Sequence, residues 1–234
     1  MNYKSHIPNF ITLLNLLCGG LAVIFLFKGF ILEAAMLVGL SAVFDFFDGL
    51  AAKLLNAKSL IGKELDSLAD VISFGLVPSL FVFILMEKNI ADDASIWIKI
   101  IPYFSLTIAG FSALRLAKFN LDTRQSVYFI GFPTPANAIL LISFSIVALL
   151  QSDTILGNIF SNLYVQLLLI GITCFLLVSE IRMFALKFKG LSFKANRIRY
   201  TFLLIALLLI VFLGWTGLVF SIFTYILMSL IFKE

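Results

Sequence analysis

The chain has 234 residues, 62% of them hydrophobic and 13% charged, with a mean hydropathy of +1.10. A soluble domain carries about 25% charged residues, so a water-soluble fold is excluded. The apolar runs are continuous instead of alternating, which excludes a membrane barrel and leaves helices as the way to satisfy the backbone in lipid.

A membrane span needs about 20 mostly apolar residues, and in chain order the sequence predicts helices near 8–27, 31–54, 64–86, 96–118, 134–150, 163–183, 200–214 and 217–232. The first run follows only Lys4, contains Asn9, Asn15 and Gly19-Gly20, and has no small-residue cleavage site, so it reads as a retained helix. Pro133 and Pro135 either shape the entry to the fifth helix or belong to a loop that lines a substrate site. The last two helices divide at Gly214-Trp215-Thr216-Gly217, because an unbroken helix of about 30 residues would overshoot a bilayer even when tilted. The expected fold is an all-α polytopic membrane protein of about eight transmembrane helices, one integral domain over 1–234 without an internal repeat. Cys18 and Cys174 fall inside predicted spans, where they read as small buried side chains and not as a disulfide. His6 is far from other ligand-type residues and reads as interfacial.

The basic residues orient the chain. Lys4, Lys53, Lys58, Lys63, Arg115, Lys118, Arg124, Arg182, Lys187, Lys189, Lys194, Arg197, Arg199 and Lys233 share one side of the predicted membrane, while Lys28, Lys88 and Lys99 lie on the other. Positive residues favour the cytoplasmic side, so both termini are expected there. The basic stretch from Met183 to Arg199 suits anionic lipid head groups better than nucleic acid, which is not an expected partner.

Acids are scarce, thirteen in all, yet Asp45, Asp48, Glu64, Asp66 and Asp70 crowd into residues 45–70. Asp45, Asp48, Gly49 and Ala52 fall at i, i+3, i+4 and i+7 on one helix face. On the next helix Gly62, Asp66 and Asp70 recur every four residues, giving a second acidic face preceded by glycine. If the two helices are antiparallel neighbours, all four carboxylates meet at the cytoplasmic end. Ionisable side chains are costly among Phe44, Phe46 and Phe47, and such residues in membrane helices usually serve function. Simple pairing with lysines at a helix end accounts for one such aspartate, not for four with this phasing. Divalent cations would relieve the repulsion, and oxygen-only ligands without a nearby His or Cys suit magnesium, manganese or calcium. Two ions sharing carboxylates would clamp a phosphoryl group, and glycine or alanine beside them lets a nucleotide approach the backbone.

Asp45-x-x-Asp48-Gly49-x-x-Ala52-Lys53, followed by eight residues and then Gly62-x-x-x-Asp66-x-x-x-Asp70, resembles the signature of the CDP-alcohol phosphatidyltransferases. Lys53 departs from the arginine usual in that family, keeping charge but losing a bidentate phosphate contact. The run from Gly62 to Pro78, the opening Pro8-Asn9-x-x-Thr12-x-x-Asn15-x-x-x-Gly19, Ala113 to Asn120 and Gly131 to Ala136 resemble the branch of the family that uses serine. The resemblance covers roughly residues 8–140.

It implies a homodimer of protomers with a six-helix core, here about 8–183, to which a C-terminal helix pair at about 200–232 is added. Asp45, Asp48, Asp66 and Asp70 would hold two Mg2+ or Mn2+ ions, with Asp70 also the base. Gly49, Ala52, Lys53 and Gly62, with Asn15, would bind CDP-diacylglycerol. The expected reaction joins the phosphatidyl group of CDP-diacylglycerol to the L-serine hydroxyl and releases CMP at the inner face of the cell membrane. Arg115, Lys118 and Asn120 either hold the serine carboxylate or serve only to orient the helix. Competing readings are a glycerol-3-phosphate or inositol-type acceptor and, in another class, a metal- or proton-coupled transporter using the same acids.

Overall fold

Small residues build the first hairpin. In the computed structural model, which describes residues 5–57, 59–122, 129–184 and 193–232, α1 (His6–Phe27) and α2 (Ile31–Leu54) are joined around Gly29. That glycine has φ +83°, a conformation that L side chains rarely adopt. Pro8, Thr12, Asn15, Gly19, Ala22 and Leu26 are buried on α1, and Ala34, Val38, Ser41 and Asp48 on α2. The first series advances by threes and fours and the second by four, three and seven, the repeat by which two helices interdigitate along one face. Because the chain reverses, the polar first half of α1 lies beside the acidic second half of α2; Ser41 Oγ donates to the carbonyl oxygen of Asn15 at 2.8 Å.

The third span begins where a side chain caps it. Ser59 Oγ accepts from the Gly62 N–H at 3.0 Å, satisfying one of the free donors of a helix start. This draws the helix back from the predicted residue 64 to residue 60. From there α3 (Leu60–Asp70), a π-helical turn (Val71–Leu76) and α4 (Val77–Lys88) form one apolar stretch of 29 residues. The fourth span comprises α5 (Ile96–Ile100), a 3-10 turn over Ile101–Leu106 that includes Pro102, and α6 (Thr107–Leu121).

The chain divides into two compact units, Met1–Ala117 and Lys118–Glu234. The second contains α7 (Thr134–Leu150), α8 (Ile155–Ser161), α9 (Leu163–Val178), α10 (Phe193–Leu213) and α11 (Trp215–Ile231). Thirteen of the 17 residues of α7 are buried, so it is the core helix of that unit. α8 turns from it by 112°. The sixth predicted span, 163–183, ends early at Val178 because the following backbone bonds elsewhere. There β2 (Arg182–Met183) pairs antiparallel with β1 (Phe129–Ile130), the Gly131 N–H donates to Ile181 O at 2.9 Å, and Phe132 N–H donates to Leu176 O at 2.9 Å. Gly131 has φ +78°, and a side chain there would meet Leu177 O at 2.6 Å. Pro133, in extended conformation, then precedes the first residue of α7.

α10 and α11 are two helices, as the sequence predicts, broken at Gly214 with φ +56°. Their approach is close enough that a Cβ at Gly217 would run into the carbonyl of Leu209. Tyr225 of α11 lies among Phe132, Phe184 and Phe202, and its hydroxyl donates to Phe184 O at 3.0 Å.

All eight predicted apolar segments are helical, and the fold is an all-α polytopic membrane protein. Their lengths differ from expectation. Among the described residues five helices are long and apolar enough to cross a membrane, or six if the bent α7–α8 pair is one span. The 16 residues of α9 and 17 of α11 fall short of the about 20 of a full crossing. Of the basic residues used to orient the chain, Lys4, Lys58, Arg124, Lys187, Lys189 and Lys233 lie outside the described residues.

Candidate active site

The buried stripe of α2 runs from Ala34 through Val38 and Ser41 and, at the same spacing, into Asp45 and Asp48. The acids therefore occupy helix-packing positions and are not a solvated fringe. Phe46 and Phe47, on the other side of α2, are exposed and suited to lipid. Across from this stripe, α3 presents Asp66 and Asp70.

Carboxylate oxygens of Asp45, Asp48 and Asp66 all lie within 4.8 Å of one another. Asp48 is buried, and Asp45 and Asp66 are half-buried. The two acidic helices were expected to lie side by side; instead α1 packs along α2 and also against α3, and close backbone approaches between α2 and α3 are few. The acids thus reach towards one another beside the polar half of α1.

Asp70 sits one turn beyond Asp66 and is not part of the three-carboxylate set. It is 7% exposed, and the Nδ2 of the fully buried Asn15 donates to its Oδ1 at 3.3 Å. The carbonyl oxygen of Asn15 in turn accepts from Ser41 Oγ at 2.8 Å and Ser73 Oγ at 3.2 Å, and the two hydroxyls are 3.2 Å apart. Hydrogen bonds of this kind contribute about 1 kcal/mol each.

A cavity of about 510 Å³ opens beside the acids, lined by Asn9 and Thr12 of α1, Asp48, Gly49 and Ala52 of α2, and Ser59, Gly62, Lys63 and Asp66 around the start of α3. A Cβ on Gly49 would meet nothing within 4 Å, whereas one on Gly62 would lie 3.0 Å from both Asn9 Oδ1 and Ser59 Oγ. Gly62 thus keeps the cavity wall at backbone thickness. Of the residues expected to bind the nucleotide lipid, Gly49, Ala52 and Gly62 line this cavity. Lys53 is exposed at the end of α2, and Asn15 lies beneath the surface against Asp70. Asn9 and Thr12 belong to the opening motif and Lys63 to the run after Gly62, but none of them, nor Ser59, was assigned to the site from the sequence, although Asn9, Thr12 and Asn15 recur every three residues and share one helix face with the glycine at 19. Of the expected serine-binding set, Arg115 is buried, Asn120 half-buried and Lys118 exposed.

The donors fit a divalent cation. Three carboxylates converge, and the buried Asp48 Oδ2 and Asp66 Oδ1 have no hydrogen-bond partner. Buried polar atoms are costly to leave so, and oxygen-only sites suit hard ions. A backbone-walled cavity beside such a centre accommodates a group bearing phosphates.

Fold and site define a polytopic membrane protein with an acidic, all-oxygen centre at one end of its helices. A sequence model of CDP-alcohol phosphatidyltransferases matches residues 5–179, about three quarters of the chain, and the protein belongs to that family. The family generally depends on divalent metal, and a carboxylate cluster is present in this chain. Similar proteins include the CDP-diacylglycerol–serine O-phosphatidyltransferase of Bacillus subtilis, 38% identical over 131 residues, 56% of this chain and 70% of that one. The enzyme of the same name from Methanocaldococcus jannaschii is 36% identical over 138 residues, 59% of each chain. That of Saccharomyces cerevisiae is 32% identical over 158 residues, 61% of this chain and 54% of that one. The chain thus spans between about half and about two thirds of the length of these relatives.

Proposed function

We propose that the protein transfers the phosphatidyl group of CDP-diacylglycerol to the hydroxyl of L-serine, giving phosphatidylserine and CMP. The observation that carries this reading is the convergence of Asp45, Asp48 and Asp66 beside a cavity walled by Gly49, Ala52 and Gly62. The names of the similar proteins support serine as the acceptor.

Asp45, Asp48 and Asp66 would hold two divalent ions, Mg2+ or Mn2+, with Asp70 at the margin of the set. When bound, such ions would supply the positive charge that a pyrophosphate group requires. Gly49, Ala52 and Gly62 seat the cytidine diphosphate, and Lys63 adds positive charge at the cavity wall. A new bond forms between the serine oxygen and the lipid-side phosphorus, the bond from that phosphorus to the bridging oxygen breaks, and CMP leaves. Asp70 takes the hydroxyl proton. A tightly ligated carboxylate is a poor proton acceptor, so the proton falls to Asp70, which lies at the margin of the three-carboxylate set and not within it. Arg115, a buried cation in a membrane helix, is assigned to the serine carboxylate, since such residues are retained for function. Lys118 is exposed and Asn120 lies on another face of α6, and both are left to orient the helix.

The catalytic core is assigned to residues 8–183 of a single integral domain, and the pair at 200–232 is accessory. The active form is a homodimer in the cell membrane, with both termini and the acidic end of α2 and α3 in the cytoplasm. The placement of Lys53 and Lys63 at that end supports this orientation.

Purified protein in mixed micelles is offered CDP-diacylglycerol with serine, glycerol-3-phosphate or inositol phosphate, and CMP is measured with and without Mn2+. Release with serine alone, and only with metal, is expected. Release with another acceptor and none with serine overturns the substrate assignment.

A further inference from the structure

Asn15 is fully buried, and its polar atoms face two ways. Its backbone carbonyl is gripped by the hydroxyls of Ser41 on α2 and Ser73 on the π-helical turn, while its side-chain amide donates to Asp70 Oδ1. Three chain segments are thereby tied at one residue, next to an acid of the site. Ser41 and Ser73 are themselves fully buried.

Glycine at 19 permits this arrangement. A Cβ there would collide with Ser73 Oγ, so the hydroxyl reaches the Asn15 carbonyl only because position 19 has no side chain. The tie also falls where the third span is irregular, since Ser73 belongs to the π turn that starts immediately after Asp70. Such turns often occur at functional sites. Asp70 could otherwise rotate about its own side-chain bonds, and the amide bond fixes one of its oxygens.

We infer that Asn15, held by Ser41 and Ser73, is a positioning residue that fixes the Asp70 carboxylate for its reaction with the acceptor. The inference rests on the reading of Asp70 as the base. Asn15 is not assigned to contact substrate; it acts through Asp70, and the two serines act through Asn15. A misplacement on the order of 1 Å at a reacting group costs about a hundredfold in rate, so a clasp of this kind affects turnover more than binding.

The test is a double-mutant cycle on the full-length protein. Asn15→Ala, Ser73→Ala and the pair are assayed for kcat, for KM towards CDP-diacylglycerol and serine, and for the Mn2+ concentration giving half activity. Asn15→Ala is expected to lower kcat by roughly tenfold or more, leaving both KM values and the metal requirement within about twofold. Ser73→Ala is expected to cost about threefold alone and nothing further in the Asn15→Ala background, the non-additivity that marks two residues acting as one. Asn15→Gln, which keeps the amide, is expected to recover part of the loss. Two independent, additive losses overturn the clasp, as does a raised KM for CDP-diacylglycerol with kcat intact, which makes Asn15 a nucleotide contact. If Asn15→Ala does not accumulate as folded protein, Ser73→Ala decides, and an unchanged kcat in that variant is the overturning result. Asp70→Asn is assayed alongside: full activity there removes the base, whereas its inactivity with an active Asn15→Ala removes only the clasp.

Discussion

The hairpins α1–α2 and α10–α11 are built on one plan and differ in chemistry. Each joins two apolar helices through a glycine of positive φ, Gly29 in the first and Gly214 in the second, and each contains a glycine that cannot accept a side chain, Gly19 against Ser73 of the third span and Gly217 against Leu209 of its own hairpin. In α1–α2 the buried stripe becomes polar at one end, with Thr12 and Asn15 beside Ser41, Asp45 and Asp48. In α11 the buried stripe remains largely apolar, with Val219, Ile222, Tyr225 and Ile226, and Ser221 and Ser229 bond back to carbonyls of their own helix. The first hairpin lies within the family match and the second beyond residue 179. The two hairpins therefore differ by a few polar residues at one end of an otherwise similar packing stripe.

Removing the acids tests the contrast most severely. Asp45→Asn or Asp66→Asn is expected to reduce CMP release by a hundredfold or more, on the order of the loss when a metal clamp is dismantled. Chelation with EDTA should abolish the activity reversibly. Mn2+ added back should restore it and raise the thermal midpoint of the native protein, because a ligand that binds only the folded state stabilises it by about 2.7 kcal/mol at a hundred times its dissociation constant. The same ion should leave the midpoint of Asp66→Asn nearly unmoved.

A side chain at either packing glycine sharpens the comparison. Gly19→Ala and Gly217→Ala both force a shift against a near neighbour and should lower folding stability by roughly 1–3 kcal/mol, the cost of overpacking, read as a lower thermal midpoint. Only Gly19→Ala should also depress turnover, since only its neighbour, Ser73, leads to Asp70. A large loss of turnover from Gly217→Ala in protein that remains folded would break the distinction between the hairpins. The smallest effect is expected from Tyr225→Phe, which removes the hydroxyl bonded to Phe184 O and keeps the ring. A loss of about 1 kcal/mol is expected in denaturation, with unaltered CMP release.

Much of this was legible in residue spacing. The 31–54 helix was predicted to the residue, and the break near Gly214 followed from the length of the run it interrupts. Asp45, Asp48 and Asp66 could be grouped because helical periodicity places residues three and four apart on one face, and charge is conspicuous in apolar sequence. Periodicity describes one helix at a time, however. It could not show α1 packed against both acidic helices, nor bring Asn9, Thr12 and Lys63 to the same cavity. The β1–β2 pairing depends on partners more than fifty residues apart, and the early end of α9 follows from it. Arg115, Lys118 and Asn120 were grouped by proximity along the chain, and their differing exposure separates them.

The π-helical turn after Asp70 has a consequence for how this sequence can change. A π turn holds an extra residue relative to an α-helix, and one residue of α-helix corresponds to about 100° of rotation. Loss of a single codon within Val71–Leu76 would shorten the 29-residue stretch too little to prevent a crossing, yet it would turn α4 about its axis with respect to α3. An alignment would score such a deletion as a minor gap, although it would reset which side chains of α4 face lipid and which face protein. Gaps in this segment are therefore better judged by the phase of the helix than by its length.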